Sequence, residues 1–266
     1  MPMFFDSHVH TELSFDSKMK IEDAINKAES LGLGIITTEH YDYDEIESGI
    51  IPVDCEKYFN EYSKYRGDKL RLGIEIGMTA QTVDTNRNLC QSYDFDFILG
   101  AVHISQGKEI YKECASGRQV DLKIEDYLLD NIEMVEQNPY IQSLAHIDYI
   151  SRYGSRKDVN GEYRDYAKLY DRLFEALLDN NCLIEVNSRR FIDNSDCYKY
   201  LYTIYARYRE MGGKYVTVGS DAHFPDWIGA NFKNVMKLVS CIDLEPVYFA
   251  EGKMNKCSDV KIKAFF

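Results

Sequence analysis

Short apolar runs rich in β-forming residues recur along the chain, and each has about the length of a strand. They predict seven strands, at residues 4–9, 34–38, 70–76, 95–102, 141–145, 183–186 and 215–218. The segments between them carry apolar residues at three- and four-residue spacing, which is typical of amphipathic helices. The clearest are Ile21, Ala24, Ile25, Ala28 and Leu31 before Gly32, and Tyr170, Phe174, Leu177 and Leu178 before Asn180 and Asn181.

The alternation of strands and helices predicts the α/β fold class with parallel strand pairing. About seven such units in one chain favour a closed, TIM-like α/β barrel, and an open doubly wound sheet is the alternative. The sequence has neither the glycine-rich fingerprint of dinucleotide-binding folds nor a Walker-type loop. Because no repeat, low-complexity tract or linker interrupts the pattern, we expect one domain over residues 1–266.

The composition of the 266 residues, with 45% hydrophobic and 28% charged, is that of an ordinary globular protein. No run approaches the roughly 18 to 20 apolar residues of a membrane span, and residues 1–5 are too short for a signal peptide. We therefore expect a cytoplasmic protein without a membrane partner. The seven cysteines are scattered and include no C-x-x-C pair, which argues against a disulfide framework and a zinc ribbon.

The acidic charge balance restricts the partners of the protein. The formal net charge of -13 works against extended binding to nucleic acid, where Lys and Arg neutralise the phosphates. A small anionic substrate remains compatible with this charge if metal cations are concentrated at one site. The sequence leaves the oligomeric state open.

All the histidines of the chain fall in or just after a predicted strand. They are His8, His10, His40, His103, His146 and His223. A single histidine in such a place is usually a surface residue or a hydrogen-bonded core residue. In a parallel α/β barrel, however, the carboxyl ends of all strands meet on one face. The shared placement of the six therefore predicts that they converge.

Side-chain alternation pairs some of these residues. His8 and His10 are two residues apart in the first strand, so we expect both imidazoles on the same face. The same spacing predicts that Asp221 and His223, after the last strand, face the same way. Solvated polar strand ends are the alternative interpretation.

Further potential ligands end the strands between these pairs, including His40 after Glu39, Glu75, His103, and His146 shortly before Asp148. Imidazole and carboxylate ligands suit Zn, Mn or Fe, and a buried carboxylate such as Glu75 can bridge two cations. On local sequence, Asp16 is more typical of a turn or a helix cap than of a ligand. The candidates together exceed the number that one metal needs.

These segments resemble the polymerase-and-histidinol-phosphatase (PHP) family, in particular its stand-alone histidinol-phosphatase branch. The resemblance covers nearly the whole chain, in seven motifs that follow the family's order. The motifs are DSHVHT at 6–11, TTEH at 37–40, LGIE at 72–75, LGAVH at 99–103, AHID at 145–148, IEVN at 184–187 and GSDAH at 219–223.

The resemblance implies a distorted seven-stranded (β/α) barrel with two to three divalent metal ions at the carboxyl ends of the strands. The positions that match the family's ligands are His8, His10, Asp16, His40, Glu75, His103, His146, Asp221 and His223. Many family members have a histidine where this chain has Asp16. That difference keeps an oxygen ligand and leaves the identity of the neighbouring metal open.

Related enzymes hold the substrate phosphate with arginines, and we predict that Arg152 and Arg189 do so here. Arg152 follows the strand that ends near His146. Arg189 continues the alternation of Glu185 and Asn187, whereas Arg190 is expected to face the other way. A solvated surface charge is the alternative for each arginine.

The resemblance implies a metal-dependent phosphomonoester hydrolase in which a metal-bridging hydroxide attacks phosphorus. Asp221 or His223 is the candidate for protonating the departing oxygen. L-histidinol phosphate is the expected substrate, by analogy with the branch. Another small phosphate ester, phosphotyrosine or a nucleotide is the alternative. A metal-binding regulatory protein without catalysis is the alternative from a different functional class.

Overall fold

A mostly parallel β-sheet organises the chain. A computed structural model describes residues 4–115, 122–153, 163–192 and 196–257. The parallel strands are β1 Phe5–Val9, β2 Gly34–Tyr41, β3 Leu70–Gly77, β4 Phe97–Ala101, β7 Ser143–Leu144, β8 Leu183–Asn187, β9 Tyr215–Gly219 and β10 Glu245–Ala250. They lie in sequence order across the sheet, so that each strand pairs with the next parallel strand along the chain. The expected α/β class is confirmed, and each of the seven predicted runs forms a strand.

Three strands lie outside this parallel set. A short antiparallel hairpin, β5 Ile104–Ser105 and β6 Lys108–Glu109, follows β4. Strand β11 Lys253–Lys256 pairs with β10 in the antiparallel sense and ends the sheet. The sequence prediction did not include these three strands or β10. They are short or lack the long apolar run that a doubly covered strand shows.

Helices connect the strands. They are α1 Ile21–Leu31, α2 Cys55–Tyr62, α3 Val83–Ser92, α4 Ile110–Ala115, α5 Ile124–Gln137, α6 Tyr149–Tyr153, α7 Tyr163–Asp179, α8 Asp196–Glu210 and α9 Phe232–Cys241. The two predicted helices correspond to α1 and α7. Helix α1 buries Ile21, Ala24 and Ala28. It is capped by Gly32, whose φ of 71° is the left-handed conformation that glycine adopts most easily. No helix in the described ranges is both long and apolar enough to span a membrane.

The two ends of the seven-strand run, β1 and β9, approach each other at their carboxyl ends. In the described residues, Val9 of β1 forms an isolated parallel bridge with Ala222, in the segment after β9, and no continuous ladder joins the two strands. The backbone N–H of His10 donates to the Ala222 carbonyl at 2.9 Å, and that of Asp221 donates to the His8 carbonyl at 2.8 Å. The first and last histidine motifs of the chain therefore lie side by side.

The apolar core has two parts. The larger part fills the space between the helices and the sheet. The smaller part is a buried cluster on the strands that includes Phe5, Ile36, Phe97 and Phe249. Phe249 of β10 stacks on Phe97 with ring centroids 5.3 Å apart, so β10 contributes directly to this cluster. Side chains alternate along β2, so His40 lies on the same side of the sheet as Ile36. The smaller cluster therefore packs on the same face of the sheet as the histidines.

Candidate metal centre

Glu75 of β3 lies at the centre of the histidine cluster. It is fully buried, and the sheet register places it directly beside His40 of β2. Its Oε2 lies 3.3 Å from His8 Nε2, 3.4 Å from His10 Nε2 and 3.2 Å from His40 Nδ1. This oxygen accepts no hydrogen bond of acceptable geometry within the described part of the chain. A buried oxygen surrounded by three ring nitrogens is well placed to bind a cation.

The other oxygen of Glu75 faces two more histidines. Oε1 lies 3.0 Å from His146 Nε2 and 3.5 Å from His103 Nε2. One carboxylate therefore contacts five imidazoles, with its two oxygens directed at different subsets. Carboxylate oxygens and imidazole nitrogens are common ligands of divalent metals, so Glu75 and these histidines together form a donor set for such ions.

His8 and His10 provide a test of whether metals fit the cluster. Their Nε2 atoms are 3.0 Å apart and both side chains are completely buried. Asp221 Oδ1 lies 3.6 Å from each of them. Two imidazoles can direct neighbouring nitrogens at one point when a cation lies between their lone pairs. The donor set therefore fits divalent metal ions.

Asp16 belongs to the same cluster, although its local sequence is typical of a turn. His223 Nε2 lies 2.9 Å from Asp16 Oδ2, and His40 Nε2 lies 3.6 Å from the same oxygen. The rings of His10 and His223 stack with centroids 4.3 Å apart. Although burial opposes it, hydrogen bonds from His223 and His40 hold the pKa of Asp16 well below its usual value. Asp16 is therefore available as a carboxylate ligand.

Five groups of three donors each bring their ligand atoms within 4.8 Å of one another in the described residues. The groups are His10 with His40 and His223; His8 with His146 and Asp221; His8 with His10 and Glu75; His40 with Asp42 and His103; and Glu75 with His103 and His146. The structure thus brings all nine predicted ligands into one cluster. Asp42, which the sequence prediction did not include, occurs in one group, and Asp16 occurs in none.

Asp221 and His223 reach the cluster differently from what alternation predicted. Strand β9 ends at Gly219, and Asp221 has a φ of 57°, in the left-handed region. Strand alternation, from which we predicted that the two side chains face the same way, therefore does not apply to these residues. The hydrogen bond from Asp221 N–H to the His8 carbonyl turns the chain toward β1. Both side chains still face the cluster, but the turn places them there.

Carboxylates control the charge of the metal-free cluster. Burial opposes protonation of His8, His40 and His103, but Glu75 and other nearby carboxylates raise the pKa of all three, that of His103 to about 10. Burial lowers the pKa of His10 and His146. Without metals, these histidines therefore differ in protonation at neutral pH.

Two buried carboxylates contact the Nδ1 atoms of histidines whose Nε2 atoms point toward Glu75. Asp42 Oδ1 lies 2.7 Å from His103 Nδ1, and Glu185 Oε1 lies 2.7 Å from His8 Nδ1. A hydrogen bond donated by Nδ1–H to a carboxylate directs Nε2 toward the cluster and increases its basicity. We did not predict these roles from the sequence. Asp42 shares strand alternation with His40, which is the signal that could have found it.

A similar arrangement supports His10. Its Nδ1 lies 3.2 Å from Ser14 Oγ, and Ser14 donates a 2.6 Å hydrogen bond to Glu39 Oε2. Thr11 Oγ1 also donates to Glu39, at 2.6 Å. Burial raises the pKa of Glu39, and the hydrogen bonds from Ser14 and Thr11 counteract part of that increase. Glu39 therefore orients the His10 ring through Ser14.

The two predicted phosphate-binding arginines lie in different surroundings. Arg152 Nη1 donates a 2.6 Å hydrogen bond to Asp221 Oδ2, and its side chain is 4% exposed. Arg189 is 31% exposed, and its Nη1 lies 3.4 Å from the Asp221 carbonyl oxygen. Arg189 therefore faces the solvent side of the cluster, and Arg152 lies beneath it. The role of Arg152 in binding phosphate stays a prediction.

Arg189 does not continue the strand alternation of Glu185 and Asn187. Strand β8 ends at Asn187, and residues Ser188–Arg190 form a 3-10 turn, so that expectation is wrong. The Asn187 side chain accepts a hydrogen bond from the Arg189 N–H and starts this turn. Arg190 Nη1 lies 3.4 Å from Asp148 Oδ2, and Arg190 is not among the residues that line the cavity above the cluster.

A cavity of about 410 Å³ opens above the cluster. Its lining combines predicted ligands with Arg189 and several aromatic residues. The lining residues are Phe15, Asp16, His40, Asp42, Ile50, His103, Glu109, Tyr111, Lys112, His146, Tyr149, Arg189, Asp221, His223 and Phe224. This volume admits a small molecule with direct access to the histidines and to one guanidinium.

Comparison with known proteins agrees with this geometry. A family model described as PHP domain matches residues 6–189. The chain belongs to the PHP domain family. Most of the cluster lies inside the matched range. Asp221 and His223 lie beyond it, and the contact between β1 and the segment after β9 brings them in.

Relatives of this PHP chain are named histidinol-phosphatase. A protein of Clostridium acetobutylicum named "Probable histidinol-phosphatase" is 41% identical over 254 residues, which are 95% of this chain and 99% of that protein. The histidinol-phosphatase of Lactococcus lactis is 26% identical over 234 residues, 84% of this chain and 86% of that protein.

A solved structure shares the fold of the PHP chain. The crystal structure of histidinol phosphate phosphatase from Lactococcus lactis, complexed with zinc, L-histidinol and phosphate, matches with a TM-score of 0.84. The match covers 96% of this chain and 99% of that one, at 22% sequence identity. This likeness concerns the arrangement of strands and helices.

Proposed function

We propose that the protein is a histidinol-phosphatase, which hydrolyses L-histidinol phosphate to L-histidinol and phosphate. The observation that carries this proposal is Glu75 between five imidazoles, beneath a cavity that contains Arg189. The 41% identity to the Clostridium acetobutylicum protein supports the choice of substrate within the family. The small cavity suits a substrate of this size better than a polymer.

Two to three divalent metal ions, Zn, Mn or Fe, complete the proposed site. The residues that hold them are His8, His10, Asp16, His40, Glu75, His103, His146, Asp221 and His223. Bound divalent cations lower the pKa of a coordinated water and neutralise charge on the phosphoryl oxygens. The zinc in the Lactococcus lactis structure supports zinc as one of these ions.

Four residues at the metal cluster bind the phosphate, handle protons or support the site. Arg189 binds the phosphate, because its guanidinium lines the cavity and can direct N–H groups at phosphate oxygens. Burial opposes ionisation of Asp221, but His8 and Arg152 hold its pKa well below the usual value, so it stays a carboxylate that can bind a cation or accept a hydrogen bond from water. His223 and Asp221 lie side by side on the cavity wall and orient the water that gives a proton to the departing alcohol oxygen. Arg152 keeps Asp221 in place.

The proposal includes the shape of the sheet. We take the seven strands from β1 to β9, without the β5 and β6 hairpin, as a distorted barrel whose edges meet at Val9 and Ala222. In such a barrel, side chains from opposite strands reach a common centre. The contacts of Glu75 on β3 with His8 on β1 and His146 after β7 support this arrangement.

A substrate panel on protein with measured metal content tests the function. L-histidinol phosphate is compared with sugar phosphates, nucleotides and phosphotyrosine, before and after chelation and after reconstitution with Zn or Mn. We expect the highest kcat/KM for L-histidinol phosphate, loss of activity on chelation and recovery with metal. A clear preference for another ester would overturn the substrate assignment. Metal binding without any turnover would favour a regulatory protein.

A further inference from the structure

Arg189 lies against the single tryptophan of the chain. The guanidinium carbon of Arg189 is 4.4 Å from the centroid of the Trp227 ring, in a cation–π contact. Trp227 is 39% exposed and is absent from the residues that line the cavity, whereas Arg189 lines it. The indole therefore contacts the arginine from outside the site.

The segments that carry the two residues are tied together. Arg189 lies in the turn Ser188–Arg190, and Trp227 lies in the turn Pro225–Trp227, which leads toward α9. Asn231 Nδ2 donates a 3.1 Å hydrogen bond to the Ser188 carbonyl, and Asn234 Nδ2 donates one of 2.7 Å to the Phe191 carbonyl. These bonds tie the start of α9, which follows the Trp227 turn, to the chain on both sides of Arg189.

The segment that follows the Trp227 turn is also hydrogen-bonded to β1. Pro225 restricts the backbone at its start, and the buried side chain of Ile228 follows it. The N–H of Gly229 donates a 2.9 Å hydrogen bond to Asp6 Oδ2 of β1. The indole is therefore presented by an ordered turn.

The hydrogen bonding of Arg189 leaves donors for a ligand. In the described part of the chain its guanidinium donates one hydrogen bond, to the Asp221 carbonyl at 3.4 Å, and lies 3.8 Å from Asp221 Oδ2. A guanidinium has five N–H donors. Stacking on Trp227 restrains the side chain through its face, so the N–H edge stays available. An arginine held in this way loses less conformational entropy when it binds an anion.

We propose that Trp227 is a positioning residue that holds Arg189 in the orientation that binds the substrate phosphate. This inference rests on the proposed phosphatase function for the role of Arg189. Trp227 does not touch the substrate in this arrangement. Its effect passes through the guanidinium, so it strengthens binding of any phosphate group that enters the cavity.

A double-mutant cycle with Arg189→Met tests the proposal on the metal-loaded protein. We expect Trp227→Leu to raise the Kd for inorganic phosphate and the KM for L-histidinol phosphate by roughly three- to tenfold, with a much smaller change in kcat. Trp227→Phe retains a ring and should recover most of the loss. In the Arg189→Met background, Trp227→Leu should have no further effect.

Calorimetry with inorganic phosphate gives the Kd, and the emission of the single indole gives a second readout. Phosphate should change this emission in the wild type and not in Arg189→Met. Tyr202→Leu is the matched control, since Tyr202 is an aromatic residue of α8 that is also 39% exposed and lies outside the cavity lining. It should leave phosphate binding unchanged.

The outcomes separate this inference from the proposed function. An unchanged Kd in both Trp227 variants, or an equal loss in the Arg189→Met background, would overturn the positioning role. If the wild type does not hydrolyse L-histidinol phosphate but the cycle with inorganic phosphate behaves as expected, the positioning role stands and the substrate assignment fails.

Discussion

Arg152 donates a 2.6 Å hydrogen bond to Asp221 Oδ2, and the two side chains are only 4% and 7% exposed. This pair joins helix α6 to the segment after β9, where Asp221 also contacts His8 and His10. A buried ion pair is costly to break from one side, because the remaining charge stays buried without its partner. Arg152, which was predicted to bind phosphate, therefore stabilises the buried side chain of Asp221.

We expect Arg152→Met to lower the metal content and the stability of the protein together. Loss of the guanidinium leaves Asp221 with less support, at a cost of about 3 to 5 kcal/mol for a broken buried pair. Elemental analysis and denaturant unfolding measure the two effects. If metal content and stability stay at wild-type values while KM rises, Arg152 binds phosphate directly instead.

Arg189→Met should behave in the opposite way. Its guanidinium lines the cavity, so the loss of a charge-assisted hydrogen bond to phosphate should lower kcat/KM by roughly tenfold to a hundredfold. Metal content and unfolding should stay unchanged. Arg190→Met is the matched control, since Arg190 contacts Asp148 and lies outside the cavity lining. Equal losses of kcat/KM in both variants would contradict the assignment of Arg189.

Glu75→Gln should remove more than one metal ion per chain while the fold persists. The substitution keeps the shape of the side chain and removes the charge between the five histidines. Loss of metal stabilisation of about 4 kcal/mol corresponds to a fall in kcat of roughly a thousandfold. Elemental analysis, circular dichroism and steady-state kinetics provide the data. Wild-type metal content and kcat would show that Glu75 does not bridge metals.

Glu185→Gln should weaken metal binding without removing a ligand. Glu185 Oε1 accepts from His8 Nδ1 at 2.7 Å, and loss of such a partner typically costs about ten- to a hundredfold in metal affinity. Competition with a chromophoric chelator measures the affinity. Glu210→Gln is the control, because Glu210 is 67% exposed and pairs with Arg207 on α8. An unchanged affinity in Glu185→Gln would mean that His8 needs no support from this carboxylate.

Metal binding to chelator-treated protein should release protons near neutral pH. Carboxylates raise the pKa of His8, His40 and His103 against the effect of burial, so these rings hold protons until a cation displaces them. Affinity should therefore rise with pH toward about 10, the pKa of His103 in the metal-free chain. Calorimetry in buffers of different ionisation enthalpy counts the protons. Binding without proton release would contradict this charge distribution.

Much of the fold could be predicted because a buried strand requires apolar residues that are consecutive in the sequence. Strands covered on both faces need continuous apolar runs, and the seven runs became strands β1 to β4 and β7 to β9. Strands β10 and β11 lie toward the end of the sheet and have mixed burial, so their pattern is weak. The hairpin β5 and β6 has two residues in each strand, too few to show a period.

The arrangement of the site depended on turns, where strand alternation no longer applies. Asp221 lies in a left-handed turn and Arg189 in a 3-10 turn, and the direction of each side chain follows from hydrogen bonds to distant segments. The partnerships of Arg152 with Asp221 and of Glu185 with His8 join residues 69 and 177 positions apart. No local pattern encodes such separations.

The sequence by itself determined seven of the strands, the fold class and the kind of side chain at the ends of those strands, because apolar periodicity and residue chemistry are local properties. It also indicated that the histidines converge, since parallel strands share one carboxyl edge. Only the tertiary structure decided which nitrogen faces which oxygen, that Arg152 supports Asp221, and that Arg189 lies between Trp227 and the cavity. Those relations depend on how far each chain segment turns after its strand, and this is set by packing between segments that are distant in sequence.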